Sequence, residues 1–373
     1  MRKLLCLLFA LVACFMLATV ASATEVETTV PTTCQACNEE VTDWQVAPGD
    51  WSKLAGGHYH FYLDKNVSYY WLTPDKTADA VTICLDLNGY HNAKGGRVLG
   101  VYSGHTVNIM DSSADQTGYM EGKKGTNNLS GGSIFNFGTL GLYSGTLKFN
   151  SDGVTNHATY SGGVIAQYNY NTAVFNMYGG RVEGAQLVAD DSGVSRGAAI
   201  YAVSGQINLY GGEVTSGKTA KGTESCIYLN KSGSYIAHLT LSGNANVDEI
   251  KPNSSSINVN IDGTYSGKAR IAYASGITPS NGKKLGNATN SAKITGDLFC
   301  TTGAGWLVKI VGSQVQLATF SPSGEWHYCE HCKEVVRWTA MTTSNYSVPK
   351  STPGDYGFPV LHHLPELTQT HVH

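Results

Sequence analysis

Two Cys-x-x-Cys pairs, Cys34/Cys37 and Cys329/Cys332, are the residues of this chain with the most definite chemistry. Two closely spaced histidines follow each pair, and the two sets are Cys34, Cys37, His58, His60 and Cys329, Cys332, His362, His363. Thiolate and imidazole groups are ligands that tetrahedral Zn²⁺ prefers, and a bound metal can stabilise a module too small to have its own core. The sequence therefore predicts a structural zinc site in a small module at each end of the chain.

Other interpretations of the same residues stay open. The histidine spacing departs from that of familiar zinc fingers, and a disulfide within each Cys-x-x-Cys pair is the alternative that export from the cell would favour. Redox catalysis is less favoured, because no βαβ pattern surrounds either pair. His58 and His60 could also face solvent on a partly exposed strand, HYHFYLD.

The two modules resemble each other, since TCQACNEEVTDWQV near the start aligns with YCEHCKEVVRWTAM near the end. The shared features are the cysteine pair, a glutamate two places on and a tryptophan six or seven places on. The duplication is a stronger inference than the identity of either ligand set.

Residues 1–23, MRKLLCLLFALVACFMLATVASA, are typical of a secretory signal peptide with cleavage after Ala23. The mature protein is thus expected to be secreted or displayed at the cell surface, with no transmembrane segment. A lipobox-like Leu11-Val12-Ala13-Cys14 is the minor alternative and would make the protein a lipoprotein anchored through Cys14. Of the nine cysteines, Cys6 and Cys14 leave with the signal, and the remaining seven are an odd number that excludes a complete intramolecular disulfide framework.

The elements that position these residues follow from composition and repeats. Charged residues make up 14% of the chain, and 43 of 373 residues are glycine. A net charge of −3 removes the electrostatic basis for nucleic-acid binding. Apolar content of 42% argues against global disorder, so the composition indicates a turn-rich β protein.

Five segments carry an alternating apolar pair that ends at a turn, and the second members of the pairs recur every 32 to 35 residues. Alternation with period two indicates strands with one inward side. The pairs are Val107/Ile109, Leu140/Leu142, Phe175/Met177, Ile207/Leu209 and Leu239/Leu241. A second strand precedes most of them, with Ile134, Ile165, Ile200 and Ile227 as inward anchors. Each repeat thus contains at least two short strands with glycine-rich corners, as in a solenoid that stacks on itself.

The run VTICLDLNGYHNAKGGRVLGVYSGHTVNIMDSS and the repeats that follow it resemble secreted bacterial right-handed parallel β-helix proteins of the pectin-lyase-like superfold. The resemblance implies an all-β, single-stranded right-handed parallel β-helix over residues 58–318. A Cys-x-x-C module would precede it at 24–57 and another would follow at 319–373. In such proteins this module introduces a helix, so the second copy suggests that a further helix follows it. A truncated piece of a longer protein and a complete chain are both left open.

Tyr143, Tyr178 and Tyr210 each follow an inward residue at the same position of the repeat, so stacking of the coils should align them on one surface. Aligned aromatic rings could bind sugars, with Asn176 and Asn208 supplying hydrogen bonds nearby. The alternative, which we favour, is an aromatic ladder that covers a corner of the solenoid.

Catalytic residues are harder to find. Enzymes of this superfold use a basic residue with carboxylate-bound Ca²⁺, or clustered aspartates. Asp190 and Asp191, with Arg196 nearby, are weak candidates, because an Asp-Asp-Ser-Gly stretch more often forms a turn. G-x-S-x-G, H-E-x-x-H and phosphate-loop motifs are missing.

The sequence therefore favours a non-catalytic, secreted or cell-surface scaffold or adhesin that binds cell-surface or wall polysaccharide. A polysaccharide lyase or glycoside hydrolase acting on acidic polysaccharide is the alternative. A second alternative is an extracytoplasmic zinc-binding protein.

Overall fold

Parallel strands that return to the same register once per coil build most of this protein. The computed structural model describes residues 30–123, 131–150, 162–168, 172–187, 196–273, 278–300 and 306–319, and the backbone of three short strands at 326–329, 334–338 and 369–371. All of these strands belong to one unit, residues 31–373. The prediction of an all-β solenoid is confirmed.

The first side of the solenoid, sheet A, has ten strands, and its two inward columns contain the predicted apolar pairs. Val107 aligns with Leu140 and Ile109 with Leu142, and the same two columns continue through the later pairs, all fully buried. The strands of sheet A are Gln45–Val46, Gly57–Tyr62, Val81–Asp86, Thr106–Met110, Thr139–Leu142, Val174–Met177, Gly205–Leu209, Lys231–Ser232, Tyr235–Leu241 and Val259–Ile261.

A second large sheet of fourteen strands supplies the other two sides of each coil. Sheet B is the side that follows sheet A in the chain, and it consists of His91–Gly95, Tyr119–Lys123, Thr146–Asn150, Arg181–Glu183 and Glu213–Thr215. Sheet C comes next, and it consists of Trp71–Leu72, Leu99–Val101, Ile134–Asn136, Ile165–Gln167, Ile200–Ala202 and Ile227–Leu229. Asn246–Pro252 pairs with both sides and joins them, and Lys268–Ile271 and Asp297–Cys300 continue the ladder.

The sequence pattern missed the strand that each coil contributes to sheet B. Its inward residues, such as Leu147, Val182 and Val214, are buried and aligned, as the anchors of sheets A and C are. Two glycines at the corner before it, Gly180 and Gly212, have positive φ angles of 73° and 81°. Most strands of sheet B have a single large apolar inward residue, as Val182 is in Arg181–Glu183, so they show no alternating apolar pair.

The interior is one continuous apolar core, closed at the N-terminal end by aromatic rings. The indoles of Trp51 and Trp71 stack at 4.6 Å with an angle of 7° between their planes, and both are fully buried. The Trp71 indole donates a hydrogen bond to the carbonyl of Pro48. These contacts fasten the segment before Gly57–Tyr62 to the first coil.

Antiparallel strands occur where the coils begin, end or loop outward. Among the described residues they are Thr33–Cys34 with Glu39–Glu40, Gly217–Lys218 with Glu224–Ser225, Lys231–Ser232 with Tyr235–Leu241, the sheet Lys284–Asn287, Trp306–Val311 and Gln314–Thr319, and the sheet Trp326–Cys329, Glu334–Trp338 and Gln369–His371. A single turn of 3-10 helix spans Ser291–Lys293. Within the described part of the chain, no helix has the length and apolarity to cross a membrane.

Candidate metal centre

The first Cys-x-x-Cys pair lies in a tight hairpin between Thr33–Cys34 and Glu39–Glu40. The amide of Asn38 donates a hydrogen bond to the Cys34 carbonyl at 2.8 Å, and Asn38 has the left-handed φ of 54° that such a turn needs. The Cys37 amide donates to the Cys34 sulfur at 3.4 Å. This local geometry follows from the Cys-x-x-Cys-Asn sequence and holds the two thiols beside each other.

Sheet A supplies the other side of the site. Tyr59 and Phe61 pack against the core, so the alternating residues His58 and His60 point outward. His60 pairs directly with Cys84 on the next strand, Val81–Asp86. The hairpin lies on this outward side of sheet A, where Cys34 and Cys84 are fully buried.

Four side chains converge there, namely Cys34, Cys37, His60 and Cys84, and their ligand atoms all lie within 4.8 Å of one another. The Cys37 sulfur is 3.8 Å from the Cys84 sulfur and 3.6 Å from Nε2 of His60. A tetrahedral zinc with ordinary bond lengths separates two sulfurs by about 3.8 Å and a sulfur from a nitrogen by about 3.6 Å. The donor set and spacing therefore fit a metal ion such as zinc.

His58 is a fifth donor at the edge of this site. Its Nε2 lies 3.3 Å from the Cys84 sulfur and 3.5 Å from the Cys37 sulfur. The His58 and His60 rings are 4.4 Å apart. A tetrahedral ion with three cysteine ligands needs one of the two imidazoles, and His60 belongs to the cluster in which all ligand atoms lie within 4.8 Å of one another.

The three thiols affect one another's ionisation. Interaction with the neighbouring Cys84 thiol lowers the pKa of Cys34 to about 5. Burial raises the pKa of Cys37 to about 11, and the neighbouring Cys34 sulfur raises that of Cys84. Without a cation, the cluster thus stabilises one thiolate and opposes a second and third. A divalent ion supplies the charge that lets all three deprotonate.

Surrounding side chains hold these groups in place. Trp44 packs edge-on against the His60 ring with centroids 5.3 Å apart, and Met110 packs in the same apolar cluster. The amide of Asn108 lies 3.7 Å from the Cys84 sulfur as a donor. The hydroxyl of Ser144 donates to the side-chain oxygen of Gln35 at 2.8 Å, which ties the hairpin to a later coil. Such outer contacts fix ligand orientation in metal sites.

The structure brings the predicted N-terminal residues Cys34, Cys37, His58 and His60 together, and it adds Cys84, which sequence reasoning left out. The Cys34 and Cys37 thiols are not joined in a disulfide. A signal for Cys84 existed, because it occupies an outward position of the strand VTICLD one coil after His60. In the second set, Cys329 ends the strand Trp326–Cys329, and Cys332, His362 and His363 lie outside the described residues.

The predicted tyrosine column is present as a continuous stack on sheet A. The centroids of Tyr143 and Tyr178 are 4.5 Å apart, and those of Tyr178 and Tyr210 are 4.9 Å apart, with 23° and 10° between the planes. Tyr178 and Tyr210 are 44% and 38% exposed. Beside them, the amide of Asn208 donates to Asn176 at 2.9 Å. Since each ring face covers the next, the stack presents ring edges and hydroxyls to solvent.

The weak catalytic candidates do not form a described site. Asp190 and Asp191 lie outside the described residues, and the Arg196 guanidinium lies 5.6 Å from the centroid of the Tyr228 ring. Asp111 is a buried carboxylate that accepts hydrogen bonds from the amides of Gly89 and Gly118.

Compared with known proteins, the chain matches no family model, no curated protein and no solved structure.

Proposed function

We propose that this protein is a non-catalytic β-helix scaffold, secreted or displayed at the cell surface, which is fastened by structural zinc and binds carbohydrate. The observation that carries the proposal is the Cys34, Cys37, His60 and Cys84 cluster, because four protein ligands leave no open position for a substrate. Catalytic zinc sites keep such a position for water or substrate.

Zinc is the proposed metal because of the ligand chemistry. Three sulfurs and one imidazole at tetrahedral spacing suit zinc, whereas Ca²⁺, Mg²⁺ and Mn²⁺ prefer oxygen ligands. The ion would join the hairpin at Cys34 and Cys37 to two successive strands of the solenoid. Its chemistry there is to hold the N-terminal segment against sheet A.

Carbohydrate is the proposed ligand because of the exposed outward side of sheet A. Tyr178 and Tyr210 are large aromatic residues at the surface, and an exposed aromatic group on a rigid scaffold often marks a binding site. Their hydroxyls and the amides of Asn176 and Asn208 offer hydrogen bonds to sugar hydroxyls. Membership of the pectin-lyase-like superfold is part of the same proposal, and three parallel strands per coil support it.

Two measurements on the purified mature chain test this function. Metal analysis should find zinc, and an array of polysaccharides should show binding without release of reducing or unsaturated sugar. Zinc-free protein that is folded and has a Cys34–Cys37 disulfide would contradict the structural zinc. Sugar release that is lost in Asp191→Ala would contradict the non-catalytic assignment and favour the lyase or hydrolase.

A further inference from the structure

The outward side of sheet A is uncharged over four successive coils. On the strands from Thr106–Met110 to Gly205–Leu209, residues alternate between buried and partly exposed. Apart from the buried Met110 and Gly141, the outward residues are Thr106, Asn108, Thr139, Val174, Asn176, Gln206 and Asn208. These described residues offer hydroxyls and amides, and none of them is a carboxylate or a cation.

Sheet B is built from the same coils, but its outward residues are charged. Glu121 lies 3.5 Å from the ammonium groups of both Lys123 and Lys148. Arg181 lies 3.6 Å from Glu183 and 3.4 Å from Glu213 on the next coil. Polar positions of the same coils thus have ion pairs on one side and no charge on the other, so the lack of charge on sheet A is local to that side.

The uncharged surface is accessible below the metal centre. The N-terminal hairpin covers the upper coils of sheet A, where Val41 and Trp44 pack with Cys84 and Met110. Further down, Tyr178, Tyr210 and Gln206 are exposed. The surface runs beside the tyrosine stack and is continuous from coil to coil, at about 4.8 Å per strand.

We infer that this side of sheet A binds a neutral polysaccharide chain, which lies across the coils beside the tyrosine stack. The inference rests on the proposed carbohydrate-binding function and specifies its ligand class. An acidic polysaccharide would bring carboxylates to four coils whose outward side has no lysine or arginine, and their desolvation would be unfavourable. His238, which lies beside Gln206 on the next strand of sheet A, is a basic residue at the lower edge of this surface. A neutral chain has only hydroxyls and apolar ring faces to match.

The donors on this surface are already ordered. The hydrogen bond from Asn208 to Asn176 fixes both side chains, and the stack fixes the tyrosine rings on either side of Tyr178. Binding to such groups loses little side-chain entropy. Since no ion pair forms, affinity should depend little on salt.

The experiment titrates the zinc-loaded mature chain with soluble xyloglucan, mannan and β-1,3-glucan as neutral probes and with polygalacturonate as the acidic probe. We expect at least one neutral probe to bind, with affinity that changes less than about threefold between about 0.05 M and about 0.5 M salt. Binding of polygalacturonate alone, weakened by salt, would overturn the inference and leave the carbohydrate-binding function standing. Binding of none of the probes would overturn both.

Substitutions on sheet A test whether the ligand binds to this surface. The double variant Tyr178→Phe and Tyr210→Phe keeps the ring stack and removes two hydroxyls, and it should weaken neutral binding by roughly tenfold, as loss of two hydrogen bonds does. Gln206→Lys and Gln206→Glu should have similar effects on a neutral ligand. If Lys strengthens and Glu weakens binding, the ligand is acidic and the inference is wrong.

The matched control introduces a charge on the other side of the coil. Asn246→Asp on the sheet B side keeps the oxygen that accepts a hydrogen bond from the Lys268 amide. It should leave neutral binding unchanged. If it abolishes binding while the tyrosine variants have no effect, the ligand binds on sheet B and the inference is overturned.

Discussion

Cys84 lies directly beside His60 on the outward side of sheet A, and with it the two thiols of the hairpin acquire a complete set of four ligands. Neither residue of the pair is close to the hairpin in sequence. The parallel register of Gly57–Tyr62 and Val81–Asp86 brings them together. Single substitutions at these positions therefore test both the metal and the register.

Replacement of Cys84 by serine should lower the zinc content by about one ion per chain relative to the unaltered protein, because a hydroxyl is a poor ligand for zinc. Metal analysis of the purified variant checks this. Cys226→Ser is the matched control, since Cys226 is a fully buried thiol whose sulfur lies against the Val214 carbonyl. An unchanged zinc content in Cys84→Ser would exclude Cys84 as a ligand.

The two histidines should differ in importance. His60→Ala removes the imidazole that lies within range of all three sulfurs and should weaken zinc binding by at least about tenfold. His58→Ala should weaken it less, because His60 remains. Competition with a chromophoric chelator measures both affinities, and the opposite order would show that His58 is the fourth ligand.

At the scale of the element, the corners between sheets A and B decide how the strands stack. Gly180 has a φ of 73°, and a Cβ there would lie 2.6 Å from the Gly145 carbonyl oxygen of the preceding coil. The corner thus needs both a left-handed backbone and the absence of a side chain. Corners of this kind are one reason for the excess of glycine in the composition.

Gly180→Ala should lower the free energy of unfolding more than Gly222→Ala does, and the difference should be about 2 kcal/mol or more. Both glycines have similar positive φ angles, 73° and 77°, so both variants incur the left-handed strain of about 1–2 kcal/mol. A Cβ at Gly222 contacts nothing within 4 Å, so only Gly180→Ala adds a steric clash with the neighbouring coil. Denaturant unfolding of the two variants checks this, and equal losses would contradict close packing at the corner.

At the scale of the whole molecule, each coil of a solenoid contacts mainly its neighbours, so loss of one end need not unfold the rest. The metal centre joins the N-terminal hairpin to the first coils, whereas the core extends continuously through the later ones. The metal should therefore control local stability at one end.

Removal of metal with a strong chelator should raise amide hydrogen exchange in residues 33–46 and in Gly57–Tyr62. It should leave the strands Thr139–Leu142, Thr146–Asn150 and Val174–Met177 protected. Exchange read by mass spectrometry on proteolytic peptides measures this directly. The later coils keep their ladder hydrogen bonds and their apolar core without the ion. A uniform rise along the chain would mean that the metal supports the whole fold.

The sequence by itself determined the repeat, because inward alternation in pairs such as Leu140/Leu142 and Phe175/Met177 is a local property that hydrophobic burial enforces. The Cys34/Cys37 hairpin was equally local. The sequence could not show sheet B, because most of its strands have a single large apolar inward residue and therefore no visible period. It predicted that the tyrosines align, but it could not show that Tyr178 and Tyr210 stay 44% and 38% exposed.

Only the tertiary structure decided that Cys84 completes the metal site. Whether Cys84 lies near Cys37 depends on the number of residues in each corner and on the register of two strands. A register shift of one residue would turn the Cys84 side chain inward. The separation of charge onto sheet B and uncharged polar groups onto sheet A was decided in the same way. Alternation within a strand tells which residues face outward, whereas the path of the chain around the coil decides which outward residues become neighbours.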